Sequence, residues 1–179
     1  MKSPARPVVH FLFFMLAAAF IVSGCGQDAV PLDKTKEEQL IRVTLDSFNR
    51  AAARADFNAY FNYYADEAVF TGTDATERWD KKAFMAWAKP IFDRGRAWDF
   101  TSIDRHVFFD ETGKLAWFDE LLNTQMKICR GSGVMVKQGN DWKLKQYILS
   151  TTVPNDLLDS VIVLKAPAED SIIRSYGKK

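Results

Sequence analysis

The chain has 179 residues, with 24 Lys and Arg against 23 Asp and Glu and a formal net charge of +1. Apolar residues make up 47% of it and aromatic residues 13%, enough for one sizeable core in a single domain. Binding of nucleic acid needs clustered Lys and Arg to displace counterions, so this balanced composition excludes nucleic acid as an expected partner.

The first 24 residues have the order of a secretory signal: Lys2 and Arg6 precede an apolar stretch at 8–22. That stretch is shorter than the roughly 20 residues that a membrane-spanning helix needs, which argues against an uncleaved anchor. It ends on Val22-Ser23-Gly24-Cys25, which is similar to the lipobox of bacterial lipoproteins, where the cysteine sulfur receives a diacylglycerol. We therefore predict cleavage before Cys25, lipid attachment there, and a location in the cell envelope on the inner or the outer membrane.

The remaining chain divides into a tether, a domain and a C-terminal part. Residues 25–35 are polar and contain proline, which is typical of a short tether. Residues 36–156 form the predicted domain, and residues 157–179 a final helix followed by a loose tail. Within the domain Cys129 is the only cysteine, so no internal disulfide can form and an apolar core must hold the fold.

Three helices and a short strand are predicted in the first half of the domain. Thr35 and Glu38 have the spacing of a capping box, and apolar residues then recur at helical spacing, which predicts a helix over about 36–54. Asp56 can cap a second, aromatic helix. A short strand at 68–71, a polar loop at 72–80 and a helix at 81–92 follow.

The second half is predicted to be a sheet of antiparallel hairpins. Its segments are rich in β-branched and aromatic residues and are separated by turn formers; they are 98–109, 115–122, 126–137 and 142–152. Helices followed by a run of strands predict an α+β fold in which helices cover one face of a curved sheet.

Several segments of the chain resemble the SnoaL-like branch of the nuclear transport factor 2 superfamily. They are residues 49–56, 64–68, 72–79 and 142–150, and they fall within the predicted domain at 36–156. The resemblance implies a cone-shaped α+β barrel, the nuclear transport factor 2-like or cystatin-like fold. The resemblance also implies that similar sequences carry a histidine at the position of Ile148. Chemistry that depends on that imidazole is therefore expected to be absent from this chain.

Neither a metal site nor a cofactor is predicted. Beyond the signal, His106 is the only histidine, and one histidine makes no zinc cluster. It is interpreted as a surface or hydrogen-bonded side chain. Cys129 is interpreted as a small core residue rather than as a nucleophile.

Carboxylates are the remaining candidates for catalysis, since proton abstraction in a dry cavity needs one base of raised pKa and a hydrogen-bond donor. The candidate bases and donors are Asp119, Glu120, Asp74, Glu77, Tyr64 and Tyr147. A turn at Thr124-Gln125 would place Arg130 opposite Asp119. We favour that ion pair over a catalytic Asp119.

Aromatic residues and a few polar groups predict a small-molecule pocket. Residues two apart on a strand share a face, so Trp117 lies beside Asp119. Trp142 and Leu144 are assigned more to packing. The residues predicted to line or border the cavity are Trp117, Asp119, Arg130, Gln146, Tyr64 and Trp79.

Three functions are compatible with the sequence. The leading hypothesis is a lipid-anchored domain that binds a small, partly apolar ligand or an envelope partner without turnover. The alternatives are an isomerase or cyclase-type enzyme that uses a pocket carboxylate, and a dimeric assembly module. The resemblance favours a homodimer, because relatives of this fold often pair through the outer face of the sheet.

Overall fold

The computed structural model of the protein describes residues 33–177. Its helices are α1 (Lys34–Ala53), α2 (Phe57–Asn62), α3 (Lys81–Phe92) and α4 (Leu158–Tyr176). Its strands are β1 (Tyr64–Thr71), β2 (Arg78–Asp80), β3 (Thr101–Phe109), β4 (Leu115–Thr124), β5 (Lys127–Gln138) and β6 (Asp141–Thr151). The predicted signal and the predicted lipidation site, Cys25, lie outside the described residues.

Aspartates begin the first three helices. Asp56 accepts a hydrogen bond from the backbone N–H of Ala59 at 3.0 Å, as predicted, and Asp80 caps α3 in the same way. The cap of α1 differs from the prediction: Asp33, not Thr35, accepts from the N–H of Lys36, at 3.1 Å. An aspartate satisfies the free N–H groups of the first turn, so the helix begins at Lys34.

The six strands form one sheet in the order β2-β1-β6-β5-β4-β3. The hairpins β3 to β6 are antiparallel, as predicted, whereas β1 pairs with β6 in parallel. Strand β2 lies in the segment predicted to be loop and pairs with β1. Its three residues are too few for an alternating pattern, so only tertiary pairing defines it.

The register between β4 and β5 differs from the predicted one. Thr124 pairs with Lys127, so the turn is Gln125-Met126 rather than Thr124-Gln125. The Thr124 hydroxyl accepts from the Met126 N–H at 2.9 Å and donates to the carbonyl of Lys127. Arg130 therefore faces Leu121, two residues beyond Asp119. Because the partner of Arg130 moves by two residues, an even number, Arg130 still lies on the face that carries Asp119.

Helices α1 to α3 cover one face of the sheet, which we call the inner face, and the opposite side is the outer face. Fully buried residues of α1, such as Ile41 and Leu45, belong to the same core as Leu122 and Leu144 of the strands. Cys129 is a free, buried thiol in this core, in agreement with its interpretation as a packing residue.

Helix α4 is longer than predicted. It runs to Tyr176, so the expected loose tail is helical over most of its length. No residue of α4 is buried, and Lys165 and Glu169 form an ion pair one turn apart at 2.9 Å. Across residues 33–177, none of the helices combines the length and the apolar character needed to cross a membrane.

Candidate functional site

A cavity of about 160 Å³ lies between the helices and the inner face of the sheet. Its lining is mostly aromatic, and its mouth is formed by exposed residues such as Trp87, Thr73 and Gln125. The other lining residues are Phe48, Tyr60, Phe70, Gly72, Glu77, Phe84, Trp98, Phe100, Met126, Tyr147 and Leu149. The cavity is therefore built by all three covering helices and by several strands.

Phe84 of α3 is the centre of the aromatic wall. Its ring lies parallel to that of Phe70, with centroids 4.0 Å apart and an interplanar angle of 4°. It also stacks on Trp98 at 6.1 Å and on Trp79 at 5.7 Å. Stacked rings with few rotatable bonds give the wall a defined shape.

Two tyrosines supply hydroxyl groups to the lining. The hydroxyl oxygen of Tyr60 lies 3.2 Å from that of Tyr64, and the Tyr147 hydroxyl donates to Glu120 Oε1 at 3.5 Å. Burial raises the pKa of all three phenols well above the ordinary value. These groups therefore remain protonated and act as hydrogen-bonding partners rather than as bases.

A buried ion pair lies beneath Tyr147. Arg105 Nε donates to Glu120 Oε2 at 2.8 Å, and Arg105 Nη1 donates to Asp46 at 2.9 Å. The side chains of Arg105 and Glu120 are only 4% and 1% exposed. Burial raises the pKa of Glu120, and the charge of Arg105 opposes that rise.

Gly131 leaves room for this arrangement. A Cβ atom at this position would lie 2.6 Å from the Tyr147 hydroxyl oxygen and 3.2 Å from Glu120 Oε1. Real Cβ atoms essentially never come as close as 2.6 Å, so a side chain here would displace the Tyr147 hydroxyl from Glu120.

The carboxylate in the lining belongs to Glu77, in the loop between β1 and β2. Its Oε2 accepts from the Asp74 N–H at 3.3 Å. A Cβ on Gly72 would lie 2.1 Å from that oxygen, so the glycine is what allows the carboxylate to rest on the loop backbone. Within residues 33–177 Glu77 takes part in no ion pair.

Four residues predicted to line the cavity lie on the outer face instead. Trp117 is 44% exposed, and Asp119, Arg130 and Gln146 share its side of the sheet. The alternation along β4 and β5 was assigned correctly, but alternation does not tell which face the helices cover. In β6 a register shift at Lys145 separates Gln146 from Leu144, so the two residues face opposite sides.

Because Asp119 lies on the outer face, away from the cavity, it is not placed to act as the candidate base. Its carboxylate lies 3.5 Å from His106 Nδ1 and 4.0 Å from Arg130 Nη1. The predicted pair with Arg130 is thus present as a diagonal contact. The carboxylate that points inward from this strand is Glu120, its sequence neighbour.

Tyr64 and Trp79 support the cavity from behind the residues that line it. Tyr64 is buried and pairs with Tyr60. Trp79 stacks on Trp87 with centroids 4.8 Å apart. Both residues touch the lining, but neither belongs to it.

The prediction missed most of the actual lining. Phe84, Trp98 and Phe100 carry no sequence signal beyond aromatic clustering, and their convergence depends on how α3 and the chain after it fold over the sheet. Among residues 33–177 no group of three or more His, Cys, Asp or Glu residues is arranged to hold a metal ion.

Together, the curved sheet, the covering helices and the aromatic cavity define the class: an α+β cone fold with an internal pocket. The family model described as SnoaL-like domain matches residues 41–154. The chain therefore belongs to the SnoaL-like domain family. No curated protein matches it.

Solved structures agree on the fold. A nuclear transport factor 2-like protein of unknown function from Pseudomonas putida is 18% identical. The match covers 68% of this chain and 90% of that one, with a TM-score of 0.58. A domain of unknown function with a cystatin-like fold from Nostoc punctiforme is 16% identical. The match covers 81% of this chain and 99% of that one, with a TM-score of 0.58. A proposed dehydratase of the nuclear transport factor 2-like family from Streptomyces avermitilis is 16% identical, covering 67% and 99%, with a TM-score of 0.56. At these identities the likeness shows the fold alone.

Proposed function

We propose that the protein is a lipid-anchored SnoaL-like domain that binds a small, partly apolar ligand in the cavity without turnover. The observation that carries this proposal is the cavity itself, with aromatic walls, a few hydroxyl groups and an exposed mouth. Its volume of about 160 Å³ suits a molecule of about one ring.

The polar groups near the cavity favour binding over catalysis. A general base must be deprotonated and within hydrogen-bond reach of the ligand. The phenols of Tyr60 and Tyr147 remain protonated, and the carboxylate of Glu120 is engaged by Arg105. The carboxylate in the lining, that of Glu77, accepts from the Asp74 N–H and lies on a partly exposed loop rather than in a dry pocket. The isomerase or cyclase alternative therefore has less support from the geometry than a binding protein has.

Truncation of Trp87, at the mouth, is expected to weaken ligand binding. An aromatic contact contributes about 0.5–1.5 kcal/mol, so Trp87→Ala should raise the Kd for benzyl alcohol by about twofold to twelvefold. Isothermal titration calorimetry on the full-length protein measures this Kd. Trp117→Ala is the matched control, because both tryptophans are 44% exposed but only Trp87 lines the cavity.

Two results would contradict the proposal. One is that benzyl alcohol does not bind to the parent protein at all. The other is that Trp117→Ala weakens binding as much as Trp87→Ala does, which would move the binding site to the outer face.

Lipid attachment at Cys25 is part of the same proposal and rests on the charged, apolar and lipobox order of residues 1–25. Fatty-acid labelling of the protein in cells should disappear in Cys25→Ser, because serine has no thiol to receive the diacylglycerol. The control is Cys129→Ser, which leaves the lipobox intact and should remain labelled. Labelling that survives in Cys25→Ser would refute the assignment.

A homodimer through the outer face is a second candidate property. The exposed rings of Phe108 and Trp117 stack there with centroids 5.8 Å apart. Trp117→Glu would place a charge in such an interface and should shift the mass measured by light scattering from dimer toward monomer. A monomeric parent protein at high concentration would count against the dimer.

A further inference from the structure

In the described part of the chain, the residues that line the cavity include an acidic side chain and no basic one. Among the described residues that line it, Glu77 is acidic and none is Lys, Arg or His. An anionic ligand would lose its hydration on entry and would find no cationic side chain in return. A neutral or a cationic ligand meets no such penalty from the lining.

The aromatic walls favour a cation over a neutral molecule. Aromatic side chains make up more than half of the lining, among them Trp87 and Trp98. The face of an aromatic ring carries negative potential and attracts ammonium groups, most strongly when the ring is that of tryptophan. The Glu77 carboxylate adds a full negative charge that no ion pair within residues 33–177 neutralises.

Hydrogen bonding points to the same class of ligand. The hydrogen of the Tyr147 hydroxyl is directed to Glu120 Oε1, which leaves the lone pairs of the hydroxyl oxygen as acceptors. The carboxylate oxygens of Glu77 are acceptors only. A ligand that donates N–H groups can therefore be satisfied by the side chains of Tyr147 and Glu77.

Volume limits the size of that ligand. A dry protein cavity of about 150 Å³ is known to hold benzene, and the cavity described here measures about 160 Å³. From charge, aromatic surface, hydrogen bonding and size, we infer that the cavity selects a small amine in its protonated form, with one ring or a short apolar chain. This inference rests on the proposed ligand-binding function.

Three ligands of similar shape and different charge test the inference on the full-length protein. At neutral pH benzylammonium is cationic, benzyl alcohol is neutral and benzoate is anionic. Benzylammonium should bind about tenfold more tightly than benzyl alcohol in titration calorimetry, and benzoate should bind more weakly than both.

Glu77→Gln then separates the charge from the shape of the site. It should weaken benzylammonium about tenfold and benzyl alcohol by less than about threefold, since glutamine keeps the size of the side chain and one oxygen acceptor but removes the charge. Glu111→Gln is the control, because it makes the same charge change at an exposed residue outside the lining and should alter neither Kd.

The outcomes distinguish the two proposals. Benzyl alcohol that binds as tightly as benzylammonium overturns the inference and leaves the proposed function in place. An equal loss of benzylammonium affinity in Glu77→Gln and Glu111→Gln also overturns it, because the effect would then come from net charge alone. If none of the three ligands binds, both the inference and the proposed function fail.

Discussion

Replacement of Arg105 by methionine is expected to lower the free energy of unfolding by about 3–5 kcal/mol, because it leaves the buried Glu120 without its counter-charge. The guanidinium contacts Glu120 at 2.8 Å and Asp46 at 2.9 Å, and its Nη1 also donates to the carbonyl of Arg42 at 3.1 Å. All of these contacts are lost together, whereas methionine retains much of the apolar volume. Urea denaturation measures the change.

The same substitution on the outer face is the control. Arg130 is 55% exposed and lies 4.0 Å from Asp119, so Arg130→Met should change stability by less than about 0.5 kcal/mol. If Arg105→Met were as mild as Arg130→Met, the buried pair would have no role in holding the inner face of the sheet.

The loss in free energy of unfolding caused by Arg105→Met should depend on pH. Burial raises the pKa of Glu120 above its ordinary value of 4.5. At a pH between these two pKa values, the folded state keeps a proton that the unfolded chain releases. Stability therefore falls as the pH rises from the ordinary value through the raised one. Without Arg105 that pKa rises further, so the variant should lose more stability at about pH 8 than at about pH 5. Glu120→Gln, introduced in the same variant, should remove this dependence.

Phe84→Ala is expected to have the other large effect, on both stability and ligand size. Phe84 is 1% exposed and its ring stacks on those of Phe70 and Trp98. Truncation of a buried phenylalanine costs about 3–5 kcal/mol, partly through the space that it leaves. Because the residue lines the cavity, that space extends the pocket.

The enlarged pocket should bind a two-ring probe such as 2-naphthol more tightly than the parent cavity of about 160 Å³ does. Titration calorimetry well below the unfolding transition measures the affinity. Phe108→Ala is the control, since Phe108 is 44% exposed on the outer face and its loss should change neither ligand size nor stability by a comparable amount. Binding of 2-naphthol by the parent protein or by Phe108→Ala as tightly as by Phe84→Ala would contradict the role given to Phe84.

The sequence by itself determined the features that depend on neighbours along the chain. Turn formers separate the strands and set the antiparallel order from β3 to β6, and the aspartate side chain at Asp56 caps α2. Alternation also placed Trp117, Asp119 and Arg130 on one face of the sheet, even though the turn lies one residue later than predicted. These features follow from local geometry, which a sequence records directly.

Only the tertiary structure decided which face of the sheet the helices cover. Alternation is the same for both faces, so it could not show that Glu120 points inward and Asp119 outward. The shift at Lys145 turned Gln146 away from Leu144, and no pattern in the sequence marks that shift. The cavity brings together residues of α1, α3 and β6 that are far apart in sequence, and their convergence depends on packing around a shared core rather than on spacing along the chain.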